Sequence, residues 1–132
     1  MLIYAHSLSN RPSAEWQTLD SHSNAVASLA EAFALHLRAG EWGRAIGLLH
    51  DVGKVRLPFQ QMLAGLRAKD DKTHHAKYGA KLAFDAGSLP LAFAVAGHHT
   101  GLPDLGDLQC LASNTEVLSN PPKHFFPNEK SC

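Results

Sequence analysis

Residues 48–54 read Leu48-Leu49-His50-Asp51-Val52-Gly53-Lys54, and the rest of the 132-residue chain is organised around them. They close an apolar run, Ala45, Ile46, Leu48 and Leu49, whose spacing predicts a helix from about Trp42 to Val52, with Gly53 at its C-terminal cap. The run is apolar nearly all round, which predicts a central, buried position. A histidine and an aspartate stand side by side at its end. The other polar groups that stand out, His22, His74-His75 and His98-His99, can be read as converging on that pair.

Upstream, residues 1–20 read as an irregular lead-in, and Asp20 or Ser21 as an N-cap. From His22 the apolar positions Val26, Leu29, Ala30, Phe33 and Leu37 repeat at helical spacing until Gly40 ends the run. Downstream, Pro58 to Leu66 predicts a short helix, and residues 67–73 a charged loop. Thr73 or His74 caps a helix through Phe84 that ends at Gly87. Pro90 opens another, which carries His98-His99 before Gly101. A weaker run follows through Leu118, and from Asn120 the chain is Pro-rich and polar, anchored by Phe125-Phe126. No strand alternation and no repeat competes with these assignments. The expectation is an all-α fold of five or six helices, one domain over residues 1–118 with a tail at 119–132.

Composition narrows the class. Apolar content of 45% suits an ordinary globular chain. No apolar run reaches the length of a membrane span, and the N-terminus lacks a charged region followed by an apolar block. Cys110 and Cys132 are far apart and have no CxxC partner, which excludes zinc-ribbon chemistry and agrees with a reducing cytoplasm. Net charge is zero, so there is no overall basic footprint for nucleic acid. Residues 54–81 nevertheless hold Lys54, Arg56, Arg67, Lys69, Lys72, Lys77 and Lys81 against Asp70 and Asp71. That local excess can steer a phosphate backbone; a solvated lysine-rich helix and loop accounts for it equally well.

The histidines carry the chemistry. Six of the nine fall at His22, His50, His74-His75 and His98-His99, each place at a helix end, whereas His6, His36 and His124 have no such setting. Any one of these has a plain structural reading, as a cap or a surface residue. The set in this order points instead to a metal site. Imidazole with carboxylate suits a borderline divalent ion such as manganese, iron, nickel, cobalt or zinc. The two oxygens of Asp51 can bridge two ions, which can hold a hydroxide nucleophile and stabilise the leaving oxygen in phosphoester cleavage. Lys54, just beyond the pair, can neutralise a phosphate or orient a water.

These residues resemble the HD superfamily of metal-dependent phosphohydrolases. They are closer still to the HD nuclease domain of CRISPR-associated type I interference, the partner of a DNA helicase. The resemblance rests on Tyr4-Ala5-His6-Ser7, His22 after Trp16 and Leu19, His50-Asp51-Val52-Gly53-Lys54, His75-Ala76-Lys77-Tyr78-Gly79-Ala80 and Gly97-His98-His99-Thr100-Gly101-Leu102-Pro103-Asp104. It covers residues 1 to about 105. It implies an HD-type helical bundle in which His22, His50 and Asp51 hold one metal, and Asp51, His75, His98 and His99 the second. His75 is preferred to His74 because the glycine four residues on matches the family's spacing, and Gly79 would allow close helix packing. Lys54 matches a basic position beside the catalytic centre, and Arg56, Lys77 and Lys81 are candidate strand contacts.

The implied function is cleavage of single-stranded DNA, endonucleolytic and later exonucleolytic, by metal-bound hydroxide. The implied partners are a CRISPR-associated helicase and surveillance complex in the cytoplasm, with no membrane. The family's pattern also has an aspartate on a helix some tens of residues past the double histidine. Residues 119–132 do not look like that helix, and Asp104 and Asp107 are poor substitutes, which predicts a weakened first metal site. Two other readings stand beside this one: an HD phosphohydrolase acting on nucleotides or cyclic dinucleotides, and a degenerate HD module without turnover.

Overall fold

The structure, a computed structural model, describes residues 2–99 and 101–113. In chain order the elements are strands β1 (Tyr4–His6) and β2 (Gln17–Thr18), then helices α1 (Leu19–Ala34) and α2 (Gly40–Leu49), a 3-10 turn at Val52–Val55 and α3 (Leu57–Leu63). Helices α4 (Ala76–Asp85), α5 (Leu89–Gly97) and α6 (Leu105–Ser113) follow. The fold is a helical bundle, as expected, with one small addition. The lead-in is not irregular throughout: β1 and β2 pair antiparallel. The expected tail, Phe125-Phe126, His124 and the run from residue 114 to Leu118 lie outside the described residues.

Several boundaries differ from expectation for local reasons. The cap of α1 is Thr18, whose hydroxyl accepts the Ser21 N–H at 3.3 Å, so the helix starts at Leu19 rather than after Asp20 or Ser21. Asp20 lies in the first turn, where a negative charge suits the helix dipole. Gly40 does not stop the run. Arg38 does, in the left-handed region at φ 55°, and Gly40 opens α2. Thr73 belongs to a capping box with Asp70 on a 3-10 turn, and α4 begins after His75 instead.

Packing decides the remaining differences. A Cβ at Gly43 would lie 2.3 Å from the Ala30 carbonyl oxygen, and one at Gly47 2.4 Å from the Ala27 Cα. The α1–α2 contact is therefore made backbone to backbone. The buried face of α1 carries Leu19, Ser23 and Ala27, and the last two are the small residues that such an approach needs. The bulky residues of the expected apolar stripe are turned outwards, with Phe33 76% and Leu37 81% exposed. For the same reason α2 is not buried all round: Gly43 and Gly47 are its fully buried positions, and Trp42 is 49% exposed.

Gly53 is not a helix cap either. It lies buried in the Val52–Val55 turn, where a Cβ would sit 2.1 Å from the His75 carbonyl oxygen. That approach sets the start of α4 against the residue pair His50-Asp51. Gly79 does what the resemblance implied, bringing α4 against the Leu49 carbonyl. Apolar clusters then lock the bundle: Ala5, Leu19 and Val55 under the sheet, Val52 and Tyr78 beside the turn, and Ala83, Ala92 and Leu108 between α4, α5 and α6.

Gly47→Ala tests the backbone contact. Alanine favours a helix interior by about 1 kcal/mol over glycine, but overpacking against a backbone costs roughly 1–3 kcal/mol or more. We expect a net loss of stability in urea unfolding. A variant as stable as the parent, or more so, would contradict the close approach.

Candidate metal centre

The histidine–aspartate pair stands where ends of α1, α2, α4 and α5 meet. His22 lies in the first turn of α1, His50 caps the C-terminus of α2 and Asp51 follows it. His75 is the residue before α4, with no side-chain capping bond to occupy its ring, and His98 caps the C-terminus of α5. Asp51 is the hub, its side chain 4% exposed. Its Oδ2 lies 3.0 Å from His22 Nε2 and 3.3 Å from His50 Nε2. Its Oδ1 lies 3.0 Å from His75 Nε2 and 3.7 Å from His98 Nε2. His99 joins the second side, its Nε2 2.8 Å from that of His75.

The rings are oriented from behind. His50 Nδ1–H donates to the Gly47 carbonyl at 2.8 Å, and His98 Nδ1–H donates to the Val95 carbonyl at 2.7 Å. In the neutral ring each bond leaves the lone pair on Nε2, aimed into the site; this is the backing that metal-ligating histidines use. His98 Nε2 is buried and has no hydrogen-bond partner among the described residues. His22 and His50 face one another through Nε2 at 3.3 Å, as His75 and His99 do at 2.8 Å. Such a pair accommodates one shared proton or one cation. Asp51, His75, His98 and His99 each offer a ligand atom within 4.8 Å of the others, and so do His6, His22 and Asp51. The residues present therefore fit a divalent metal, and neutral imidazoles with a single carboxylate suit the borderline transition ions.

Electrostatics agree with a carboxylate poised to bind cations. Burial alone would raise the Asp51 carboxyl, but the surrounding imidazoles and Lys54 outweigh it and hold it far below the usual carboxylate range. Burial also opposes charge on His50, yet Asp51 and the Gly47 carbonyl raise it above its ordinary value. His22 is lowered by burial despite Asp51. His99 is lowered by burial with His98 and His75 beside it, and His6 by burial with Lys54 and His22.

The basic residues expected as strand contacts are placed unequally. Lys54 is buried, its Nζ 2.7 Å from Asp51 Oδ2 and 3.2 Å from the Ala5 carbonyl. It is an internal counter-charge and a tie to β1 rather than an open phosphate contact. Lys81 is also turned inside, bonded to Asp85 at 3.0 Å and to the Ala112 carbonyl at 2.7 Å, which removes it from any strand path. Arg56 is half-buried over the Tyr78 ring. Lys77 is exposed on a cleft of about 510 Å³ beside His75 and His99, lined also by Phe59, Met62 and Lys69. His74 lines that cleft, and His75 reaches Asp51. His36 is exposed, as expected. His6 has no helix end to mark it in the sequence, yet the fold brings it in. A three-residue strand has too few positions for alternation to betray it.

The lowered and raised histidines make opposite contributions to stability. His6, His22 and His99 favour the folded state above their unfolded value of 6.5 and weaken it as pH falls below; His50 does the reverse. Asp51 is ionised in both states across this window. The metal-free His99→Ala protein should therefore lose less stability than the parent between about pH 7 and pH 5. Thermal unfolding of both proteins in chelator at the two values checks this, and an equal or larger loss in His99→Ala would contradict it.

Among the described residues, no helix is long and apolar enough to cross a membrane. Comparison with curated proteins and with solved structures gave no match. Comparison with protein families matched residues 19–120 to the HD domain, well over half of the chain and inclusive of the Asp51 hub with its imidazoles from His22 to His99. The chain therefore belongs to the HD domain family, whose members are generally metal-dependent phosphohydrolases.

Proposed function

We propose that this chain is a metal-dependent nuclease domain that cuts single-stranded DNA, acting with a CRISPR-associated helicase and surveillance complex. The observation that carries the phosphodiesterase part is the division of Asp51: each carboxylate oxygen faces its own set of imidazoles, beside an open cleft with two lysines. Divalent ions at a centre of this kind supply Lewis-acid stabilisation of phosphoryl oxygens and lower the pKa of water. The chain's residues do the rest. Asp51 stays ionised and offers both oxygens. His50 and His98 hold their Nε2 lone pairs inward against the backbone bonds to Gly47 and Val95. Lys69 and Lys77 suit a phosphate entering the cleft, while Phe59 and Met62 give an apolar surface against which a base can lie.

The choice of single-stranded DNA and of the helicase partner rests on the resemblance of the His98-His99 to Asp104 stretch. Within it, Asp104 has a structural role, since its Oδ1 accepts the Asp107 N–H at 2.7 Å and opens α6. One observation favours a second reading. A cleft of about 510 Å³ is also the size of a small-ligand site, so a nucleotide is the competing substrate.

The test is cleavage of single-stranded DNA beside nucleotide hydrolysis, using protein stripped of metal and resupplied with manganese, iron, nickel, cobalt or zinc. Cleavage of DNA is expected. Asp51→Ala should lower it by roughly a hundredfold or more, because both sets of imidazoles lose their shared oxygen donor. His36→Ala should leave it unchanged. Activity retained in Asp51→Ala would sink the scheme, and hydrolysis of nucleotides alone would favour the second reading. Lys69→Ala with Lys77→Ala should weaken DNA binding and flatten its salt dependence by roughly one to two phosphate contacts; an unchanged salt slope would remove the cleft from the strand's path.

A further inference from the structure

We propose that His6 is a ligand of the ion on the Oδ2 side of Asp51, so that the N-terminal strand completes the first metal site. The inference rests on reading this cluster as a metal centre, and it adds a residue from outside the helical bundle.

His6 is in position to ligate. His6, His22 and Asp51 each present a ligand atom within 4.8 Å of the others. The His6 ring meets that of His22 edge to face, with centroids 4.8 Å apart. The strand is also shaped to aim it. Tyr4 pairs with Thr18 and His6 with Gln17, so three residues of β1 oppose two of β2 and the register shifts between them. A bulge of this kind re-aims a side chain, and bulges recur beside active sites for that reason. Ala5, the residue between, is 1% exposed and packs on Leu19 and Val55, which leaves its neighbours no freedom to slide.

Strand β1 is, moreover, fastened to the metal centre itself, not only to β2. The Gln60 amide accepts the Tyr4 N–H at 3.0 Å and donates to the Tyr4 carbonyl at 2.8 Å and to the Lys54 carbonyl at 2.7 Å. Lys54 pairs with Asp51 Oδ2 while donating to the Ala5 carbonyl. Both residues before His6 are thus held by groups bound to the segment that carries Asp51. A strand this short is marginal on its pairing alone, and these tethers hold it, and His6 with it, at a fixed place beside Asp51.

With His6 included, a group within ligating range stands on each side of Asp51: His6 and His22 on one, and His75, His98 and His99 on the other, with His50 Nε2 3.3 Å from Oδ2 and from His22 Nε2. His6 is the exposed member of its side, as His99 is of the other. Each side would then have an imidazole open to solvent, through which an ion can enter.

Cobalt titration of the metal-free protein tests this without recourse to activity, with visible absorption and ion counting after dialysis as readouts. The parent should take up two ions. His6→Ala should weaken one of them by at least about 10–100-fold, the loss that removing a mere hydrogen-bond partner of a ligand already causes, and leave the other unchanged. His99→Ala should weaken the other. The metal-free melting temperature of His6→Ala should stay close to the parent's, because the side chain is exposed, and His6→Gln serves as a second variant of similar size. Two ions bound at the parent's affinity by both His6 variants would overturn the proposal while leaving the metal centre standing. A parent that binds no cobalt would overturn the metal-centre reading and this proposal with it.

Discussion

A buried carboxylate is the constraint on which this structure depends. Removing Asp51 from water costs several kcal/mol unless its oxygens are engaged, and the fold sets the Lys54 ammonium and the rings of His22, His50 and His75 against them, with His98 Nε2 3.7 Å away and unpaired among the described residues. Those partners come from segments far apart in sequence, so the bundle's topology is in effect the set of connections that brings helix ends to one point. The solution is repeated. At the C-termini of α2 and α5 a histidine turns its Nδ1–H back onto a carbonyl three residues earlier and projects Nε2 forwards. Each bond satisfies one of the carbonyls that a helix end leaves free, and the same bond fixes the tautomer a metal requires. Helix termination and ligand orientation are thus one local device.

Bringing so many backbones to one point leaves little room for side chains between them. Gly43 and Gly47 let α2 lie on α1 at backbone distance, which places His22 and His50 across a 3.3 Å gap. Gly53 lets the His75 carbonyl approach the turn directly after Asp51. These small residues set the width of the metal centre, although none of them supplies a ligand atom. The outcome is a core made of close helix contacts and small clusters, with Leu29 and Phe33 of α1 left facing outwards.

Helix number and the His-Asp pair were legible because each leaves a periodic or positional mark in the chain, whereas the choice of His75 over His74 came from the resemblance, through the glycine four residues on. A helix of nine or more residues shows its spacing, and a histidine at a helix end stands out against an apolar run. What escaped was set by contacts between distant segments. The outward turn of Phe33 follows from glycines on a different helix, and spacing within α1 cannot register that; Leu37 lies past the end of α1, on the Leu35–Leu37 turn. Lys81 looked like part of a basic path, but an aspartate one turn on and the carbonyl of Ala112 turn it inwards. Lys54 looked like a phosphate contact, and one of the partners that draw it inside, Ala5, lies 49 residues earlier. His6 sits on a strand of three residues whose partner has two, and neither is long enough to show a period.

The central claim is that one carboxylate serves two cation sites, one at each oxygen. Anomalous diffraction from crystals grown with manganese tests it most directly. The account predicts two peaks roughly 3.5–4 Å apart, one within bonding distance of Asp51 Oδ2 with His22 and His50, the other of Oδ1 with His75, His98 and His99. Peaks that avoid Asp51, or no peak in a crystal whose Asp51 is still ringed by these histidines, would contradict it.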